Sequence, residues 1–263
     1  MKIIDSHMHC GSNIKMRISE EDIFKYIDSK EIIYGCISNI SGCEFDTVNG
    51  KTIANSSYSQ IRLNKDAIEF CEKLNKKIKV LFWIKPNQEL YNSDIEKYIL
   101  NNMKFIGGVK IHPRKSRLSF TVVNYKEYLD MCEKLRLNIV IHSENDEYCN
   151  PKLIYEVARI YTKINFIMVH MGLKTDHSDA IKIIKNTPNV YGDTTLVDVE
   201  NVIRAVCICG SDKIIFGTDM PCDNAKVFNY YEMIREMKKR LPINEVENVL
   251  YNNSYKLFHF DKL

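Results

Sequence analysis

Eight short apolar runs recur along the chain, and a segment with helical spacing separates each run from the next. The runs are rich in Ile, Val, Phe and Tyr and lack strict alternation of apolar and polar residues. This pattern is typical of parallel strands that are buried on both faces. The runs cover residues 3–9, 32–40, 79–86, 105–113, 137–144, 164–172, 189–195 and 213–221. We therefore predict eight parallel strands.

The intervening segments carry helix start and stop signals. Ser19 with Asp22 matches a capping box, Asn150-Pro151 matches a cap followed by proline, and Gly210 is placed to end a helix. Further helix starts are predicted at Asn64, Ser93, Asn124, Ser178 and Asp198, and two last helices at 226–240 and 244–258. Each strand is thus followed by helical sequence.

Eight strand and helix units in 263 residues predict a (β/α)8 TIM barrel with extra C-terminal helices. We expect a single domain over residues 1–263. A doubly wound open sheet is the alternative, but no glycine-rich phosphate fingerprint follows any run. The polar stretch 41–59 does not fit the rhythm. Because it follows the second strand, it would lie on the active-site face of a barrel, and we predict an active-site loop.

Composition narrows the functional classes. Hydrophobic residues make up 45% and charged residues 27%, with a net charge of +3, which is ordinary for a globular protein and too mild to indicate nucleic-acid binding. No apolar stretch is long enough to span a membrane, and Asp5 interrupts the first run, so no signal peptide is expected. Nine cysteines without a CxxC pair favour reduced, mostly buried thiols and a cytoplasmic location.

Histidine, lysine and aspartate residues lie where the predicted strands end. His7 and His9 are two residues apart, so alternation in a strand puts both side chains on one face, with Asp5 one step deeper. The other strand ends carry Lys110, His112, His142, His170 and Asp219. Barrel active sites are built at the C-terminal strand ends. Because imidazole and carboxylate are ligands of zinc and similar ions, we predict a divalent metal site there.

Four motifs resemble the amidohydrolase superfamily, in particular the amidohydrolase-related branch that includes aminocarboxymuconate-semialdehyde decarboxylase. They are DSHMH, IHSE, VHMG and FGTDMP, which begin at residues 5, 141, 169 and 216. The resemblance covers nearly the whole chain, to the closing segment LYNNSYKLF. It is specific for the superfamily and poorly specific for the substrate.

The resemblance implies roles for the residues at the strand ends. His7, His9 and His142 would bind the metal, and Asp219 would contact the metal or its water and act as general base. His170 would orient the water, or would bind a second metal. Zinc is the expected ion, with manganese, iron or cobalt as alternatives, and one ion is expected, with two as the alternative. Branch members are often dimers, so a homodimer is the assembly that the resemblance suggests.

Lys110 distinguishes two versions of the site. Its segment VKIHP resembles dihydroorotase-like members, in which a carboxylated lysine bridges two metals, and also lysine-containing members with one metal. We count Lys110 with Asp219 and His170 as candidate catalytic residues. His112 and Arg114 follow the same strand and are candidate substrate contacts.

The predicted function is hydrolysis of a small-molecule amide, lactone or related carbonyl compound by metal-activated water. The nearest alternative is a non-oxidative metal-dependent decarboxylase on the same scaffold. A Lys110 Schiff-base aldolase leaves the histidines unexplained, and a TatD-type deoxyribonuclease is expected to carry glutamate in place of Lys110. A non-catalytic metal-binding barrel is the remaining alternative. The expected partner is a small molecule, with no nucleic acid and no membrane.

Overall fold

The computed structural model describes residues 1–13, 17–29, 32–53, 58–74, 77–220 and 230–262. Parts of four predictions lie outside these described residues. They are residues 54–57 of the predicted loop, Pro221 at the end of the eighth run, residues 226–229 of a predicted helix, and the Cys222 thiol. No helix in the described ranges has the length and apolar character needed to cross a membrane.

Eight parallel strands form the barrel wall, as the sequence predicts. The strands of the described residues are β1 (Ile3–Ser12), β2 (Arg17–Ile18), β3 (Ile32–Asn39), β4 (Phe45–Asp46), β5 (Lys51–Thr52), β6 (Lys77–Trp83), β7 (Ile106–Ile111), β8 (Asn138–Glu144), β9 (Phe166–Leu173), β10 (Val190–Asp193) and β11 (Ile214–Ile215). The sheet order is β11-β10-β9-β8-β7-β6-β3-β1, and β2 adds an antiparallel edge to β1.

The barrel closes between β1 and the chain that follows β11. The Ser6 amide donates to Phe216 at 3.0 Å, the His9 amide donates to Met220 at 2.8 Å, and the Asp219 amide donates to His7 at 2.8 Å. Met8 and Met220 form a parallel bridge at the same place. The predicted (β/α)8 barrel is therefore confirmed, and its closure brings the two histidines of β1 next to Asp219.

Helices follow the strands on the outside of the barrel. They are α1 (Glu20–Ser29), α2 (Gln60–Lys73), α3 (Ser93–Asn101), α4 (Pro113–Ser116), α5 (Val122–Leu135), α6 (Pro151–Ala158), α7 (Ser178–Asn186), α8 (Val199–Cys209), α9 (Tyr230–Arg240), α10 (Ile243–Glu247) and α11 (Asn253–Leu257). A π-helical turn, Asn248–Asn252, joins α10 to α11, so the predicted helix 244–258 is two helices and a turn.

Several predicted helix ends are confirmed. Ser19 and Asp22 exchange the two bonds of a capping box, with the Asp22 amide 3.1 Å from Ser19 Oγ and the Ser19 amide 3.3 Å from the Asp22 carboxylate. Asn150 caps α6, Asp198 caps α8, and Gly210 ends α8.

Other predicted helix starts are wrong. Ser59 caps α2, and Asn64 lies buried within that helix. The Asn64 side chain instead holds β6, because its amide donates to the Trp83 carbonyl at 2.9 Å and its oxygen accepts from the Trp83 amide at 2.8 Å. Thr121 rather than Asn124 caps α5. The starts predicted at Ser93 and Ser178 are one residue late, since the caps are Asn92 and His177.

Apolar residues fill the end of the barrel where the strands begin. One buried cluster consists of residues from six strands together with two phenylalanines of the C-terminal segment. Its members are Ile4, Cys36, Leu81, Val140, Ile167, Val169, Ile215, Phe258 and Phe260. A larger cluster packs the outer strand faces against the helices. The barrel interior is therefore closed at one end, and its polar residues collect at the C-terminal ends of the strands.

The described part of the predicted loop 41–59 is fixed to its neighbours. It contains the β4–β5 hairpin, and Glu44 lies before this hairpin. The Glu44 carboxylate accepts from the amides of Asn87 and Gln88 at 3.0 and 2.6 Å, and its own amide donates to Lys115 at 3.2 Å. Burial raises the pKa of Glu44 from 4.5 to about 7. The active-site role of this loop stays a prediction.

Glu44 predicts a pH dependence of stability. Because its pKa is higher in the folded chain, it binds a proton more tightly there than in the unfolded chain. Its contribution is therefore fully present below about pH 4.5 and is lost as the pH rises through about 7. Glu44→Gln cannot ionise. As the pH rises through this range, we expect the free energy of unfolding of this variant to increase relative to that of the wild type. Urea denaturation at several pH values measures both.

The matched control is Glu127→Gln, which removes a carboxylate from an exposed position on α5. Its difference from the wild type should stay nearly constant with pH. A difference between Glu44→Gln and the wild type that also stays constant would contradict the burial argument.

Candidate metal centre

Three side chains meet where the barrel closes. His9 Nε2 lies 2.8 Å and His7 Nε2 lies 3.3 Å from the same oxygen of Asp219, Oδ1. One ligand atom from each of the three residues lies within 4.8 Å of the other two. Two imidazole nitrogens and a carboxylate oxygen at this separation fit a divalent metal such as zinc or manganese. The donor set is thus suited to the ion that the sequence predicts.

Acceptors behind the two histidines fix their orientation. His7 Nδ1 lies 3.0 Å from Asp193 Oδ2, and His9 Nδ1 lies 2.9 Å from the hydroxyl of Ser38 and 3.4 Å from its carbonyl oxygen. The Asp193 carboxylate also accepts a hydrogen bond from the Thr195 hydroxyl, at 2.8 Å. We assign the ring proton of each histidine to Nδ1, which leaves the Nε2 lone pairs directed at the Asp219 side. A carboxylate behind a histidine is a common way to orient a metal ligand.

Asp5 does not share the face of the histidines, contrary to the prediction from strand alternation. The pairing of β1 with β3 shifts register between Asp5 and Met8, and such a bulge reverses the alternation. The Asp5 carboxylate accepts from Tyr26 of α1 at 2.8 Å and from Thr218 at 2.5 Å. It also accepts from the His7 amide at 3.1 Å. Asp5 therefore ties β1 to the segment that carries Asp219.

A second bulge places His170. In the pairing of β8 with β9, Glu144 lies opposite Leu173 while His142 lies opposite Val169. The residues between include His170 and Met171, which have positive φ values of 64° and 46°. The His170 amide donates to Asp193 at 3.1 Å, and its Nδ1 lies 3.0 Å from the Thr195 carbonyl oxygen. Since a carbonyl only accepts, Nδ1 carries the proton and Nε2 keeps its lone pair.

His142 lies beside the three-residue cluster rather than within it. Its ring packs edge-on against His170 at 4.9 Å between centroids and stacks on His112 at 3.9 Å. Its Nε2 lies 3.2 Å from the Glu144 carboxylate. His112 Nδ1 is buried without a hydrogen-bond partner among the described residues, and Trp83 lies 5.9 Å away between ring centroids. His112, His142 and Trp83 thus form one wall of the mouth.

Lys110 is 1% exposed and reaches the same centre from β7. Its Nζ lies 2.8 Å from His7 Nε2, the nitrogen that also faces Asp219. A charged or a carboxylated lysine would both lie next to the cluster, so the position agrees with either version of the site. The predicted residues of β1, β7, β8, β9 and the closing segment are therefore brought together at one mouth.

Arg114 is held by acidic residues at the edge of the mouth. Its guanidinium bonds Glu144 and lies 3.7 Å from Asp146. Lys174 bonds the other oxygen of Glu144. These cations and the bond to His142 hold the pKa of Glu144 below its usual range despite burial, which acts to raise it. Arg114, predicted as a substrate contact, is one-third exposed and already paired in this structure.

Burial and the charge of Lys110 keep the imidazoles of His7 and His170 neutral. Burial, followed by the charge of Lys110, lowers the pKa of His7 well below 6.5. Burial also lowers the pKa of His170, to about 4. The pKa of Asp219 lies below its usual range, because contacts with His9, His7 and His170 outweigh the effect of burial. Neutral imidazoles beside an ionised carboxylate are the protonation states that metal ligands require.

Sequence reasoning missed the residues that orient the histidines. Ser38 is the penultimate residue of β3 and Thr195 follows β10, so their places at C-terminal strand ends are the only signal that points to them. Asp193 is the last residue of β10, and it bonds both His7 and His170. His177 is buried at the start of α7, with its Nδ1 2.9 Å from the Met171 carbonyl oxygen.

Comparisons with known proteins agree with this fold. A family model described as Amidohydrolase matches residues 86–260, a range that leaves out His7 and His9. A probable 2-pyrone-4,6-dicarboxylic acid hydrolase from Acinetobacter baumannii, crystallised with citric acid, is 15% identical with a TM-score of 0.68, covering 99% of this chain and 100% of its own.

Two decarboxylase structures are similar in the same way. 5-Carboxyvanillate decarboxylase from Sphingomonas paucimobilis is 11% identical with a TM-score of 0.73, covering 98% of this chain and 99% of its own. A dihydroxybenzoic acid decarboxylase from a Polaromonas species, with bound manganese and 2-nitroresorcinol, is 14% identical with a TM-score of 0.74. It covers 99% of this chain and 97% of its own. At these identities the likeness concerns the fold. No curated protein matches the chain.

Asp193 gives a test of the orientation argument. Asp193→Asn replaces an acceptor-only group with an amide, which weakens the hold on His7 Nδ1. We expect metal affinity to fall by about 10- to 100-fold, measured by competition with a chelator. Asp179→Asn, which changes an exposed carboxylate on α7, is the control and should leave the affinity unchanged. Equal affinities for the two variants would show that Asp193 does not orient a ligand.

Proposed function

The chain belongs to the amidohydrolase family, and on that premise we propose that it is a metal-dependent hydrolase of a small-molecule amide, lactone or related carbonyl compound. The observation that carries this proposal is the cluster of His7, His9 and Asp219 at the C-terminal mouth of the barrel. The cluster is buried on one side and open to the mouth through Asp219, whose side chain is 19% exposed. A substrate carbonyl can therefore approach it.

We propose that His7, His9 and Asp219 hold the metal, with His142 and His170 as the nearest further ligands. When bound there, a divalent ion supplies Lewis-acid activation of water and of a substrate carbonyl. Zinc is the ion we propose, because imidazole and carboxylate are its common ligands. The manganese in the Polaromonas structure supports manganese as the alternative, ahead of iron or cobalt. One ion accounts for the three-residue cluster, and a second would require a modified Lys110.

The remaining roles follow from the positions of the protons. Asp219 is ionised at neutral pH and is proposed to accept a proton from the attacking water and return it to the leaving group. His170, with its proton on Nδ1, is proposed to orient the water through Nε2. Lys110 is proposed to stabilise negative charge that develops beside His7. The Nδ1 of His112 has no hydrogen-bond partner among the described residues, which supports a polar contact with substrate. Arg114 must first exchange its bond with Glu144.

A decarboxylase is the second candidate function. The supporting observation is that two of the three similar structures described above are decarboxylases of aromatic acids. In this version the same residues bind the substrate and control its protonation, and the ionised Asp219 relays a proton from solvent to the carbon that loses CO2. Both candidates use one metal centre, so only the products distinguish them.

We propose a cytoplasmic location as well. The eight described cysteines are free thiols, and six of them are buried. Thiols of this kind are usual in a reducing compartment. Fractionation of cells that express the tagged chain would test this.

The metal ligands can be tested without knowing the substrate. His7→Ala and His9→Ala each remove one of three clustered donor atoms, so we expect bound metal to fall to background in elemental analysis of the purified protein. His259→Ala, an exposed histidine far from the mouth, is the control and should keep its full metal content. Undiminished metal in both β1 variants would overturn the proposed site.

The reaction type can be read from its products. In 18O-labelled water, a hydrolase acting on a lactone or an amide incorporates the label from water into the product. A decarboxylase instead releases CO2 from an aromatic acid. We expect label in the product and a loss of kcat of about 100- to 10,000-fold in Asp219→Asn. Release of CO2 without incorporation of label would replace the hydrolase proposal by the decarboxylase. Full activity in Asp219→Asn would contradict the role of Asp219 in either reaction.

A further inference from the structure

A second cavity lies at the opposite end of the barrel from the metal centre. We call it the basal cleft and define it by Arg136, Asn138, Lys163, Asn165, Lys256 and His259. It lies between the end of α5, the starts of β8 and β9, and the end of α11. Its volume is about 450 Å³, which is within the range of about 300–1,000 Å³ for small-molecule sites.

The lining of the basal cleft carries an excess of positive charge. Arg136, Lys163 and Lys256 are cations, and Glu133 is the carboxylate among the described lining residues. Three positive charges against one negative charge leave an excess of two, before any contribution from His259. The residues that line the cleft would therefore attract an anion.

The three cations are not used elsewhere in the described part of the chain. The side chains of these residues, Arg136, Lys163 and Lys256, make neither an ion pair nor a hydrogen bond with any described residue. Some exposed lysines on other faces are paired, as Lys126 is with Asp130 at 2.6 Å and Lys97 with Asp94 at 3.1 Å. The basal cleft thus gathers cations without local counter-charges.

Helix capping is the alternative explanation for these cations. Lysine and arginine near a helix C-terminus can bond the last carbonyls, where the helix dipole is negative. Arg136 follows α5 in the left-handed conformation, and its backbone amide, rather than its guanidinium, closes the helix on Cys132 and Glu133. Lys256 also lies in the last turn of α11 without a side-chain bond to a carbonyl of the described chain. Capping therefore leaves the charged groups available.

The floor of the cleft is held rigidly. Asn138 is 4% exposed, and its amide donates to the Leu257 carbonyl of α11. The Asn165 amide donates to Asn138 Oδ1 at 3.0 Å. These bonds join the three chain segments that carry Arg136, Lys163 and Lys256. Because the segments are tied together, little ordering is needed when a ligand binds between the cations.

We propose that the basal cleft is a binding site for a small phosphate-bearing anion with two or more phosphates, separate from the metal centre. Arginine and lysine are the usual phosphate-binding side chains, and a chain of phosphates can contact cations on all three segments at once. The leucine and asparagine residues of the floor would contact the non-phosphate part of the ligand. The proposal does not depend on the reaction at the metal centre.

The experiment is a titration of the metal-loaded protein with inorganic pyrophosphate, with inorganic tripolyphosphate and with ADP, each measured by isothermal titration calorimetry. The test variant is Lys163→Glu/Lys256→Glu. The control is Lys182→Glu/Lys185→Glu on α7, which makes the same change of charge at exposed positions away from the cleft. We expect the cleft variant to bind about tenfold more weakly or worse, with little change in the control. Added salt should weaken binding to the wild type.

The metal centre is the same in both variants, so chelation of the metal by the probe cancels from their comparison. ADP separates the two sources of phosphate, since binding stronger than that of pyrophosphate alone indicates a nucleotide-type ligand. Absence of binding to the wild type, or equal binding by the cleft and control variants, would overturn the proposal.

Discussion

The pairing of β1 with the segment from Phe216 to Met220 is the contact on which the candidate site depends. It joins residues more than two hundred positions apart through backbone hydrogen bonds, and it alone brings His7 and His9 to Asp219. A barrel with seven correct strand pairs and an open eighth would keep most of its core but separate His7 and His9 from Asp219. The buried network of Asp5, Tyr26 and Thr218 reinforces this pairing from the helix side, where unpaired polar groups would be costly.

The same region uses irregular backbone to direct side chains. His170 and Asp219 have φ values of 64° and 63°, a conformation that costs on the order of 1–3 kcal/mol when the residue is not glycine. Asp193 accepts from the His170 amide and also holds His7, while the Asp219 amide donates to His7. Each of these two residues is thus held in its conformation by a hydrogen bond from its own backbone amide. Such preorganisation keeps the donors close together before any ion binds.

The regular part of this arrangement can be predicted from sequence, and the irregular part cannot. Apolar runs and the rule that barrel sites form at C-terminal strand ends were enough to select His7, His9, Lys110, His170 and Asp219. Strand alternation failed at Asp5, because a bulge has no signature in the apolar pattern. The same limitation hid the roles of Ser38 and Thr195, whose partners are distant in sequence. Asn64 is predicted to be a helix cap because its bonds to Trp83 of β6 form only in the folded barrel and leave no mark in the local sequence.

Charge is compensated differently at the two ends of the barrel, and this difference bears on what each end can bind. At the mouth, Glu144 bonds Arg114 and Lys174, so two of the cations near the substrate path are already neutralised. Lys110 lies deeper, and its charge helps to keep His7, His112 and His142 unprotonated. A lysine in this position favours imidazole lone pairs over imidazolium, which serves a metal centre. At the base, no described residue pairs with Arg136, Lys163 or Lys256, and an anion from solution is the simplest counter-charge.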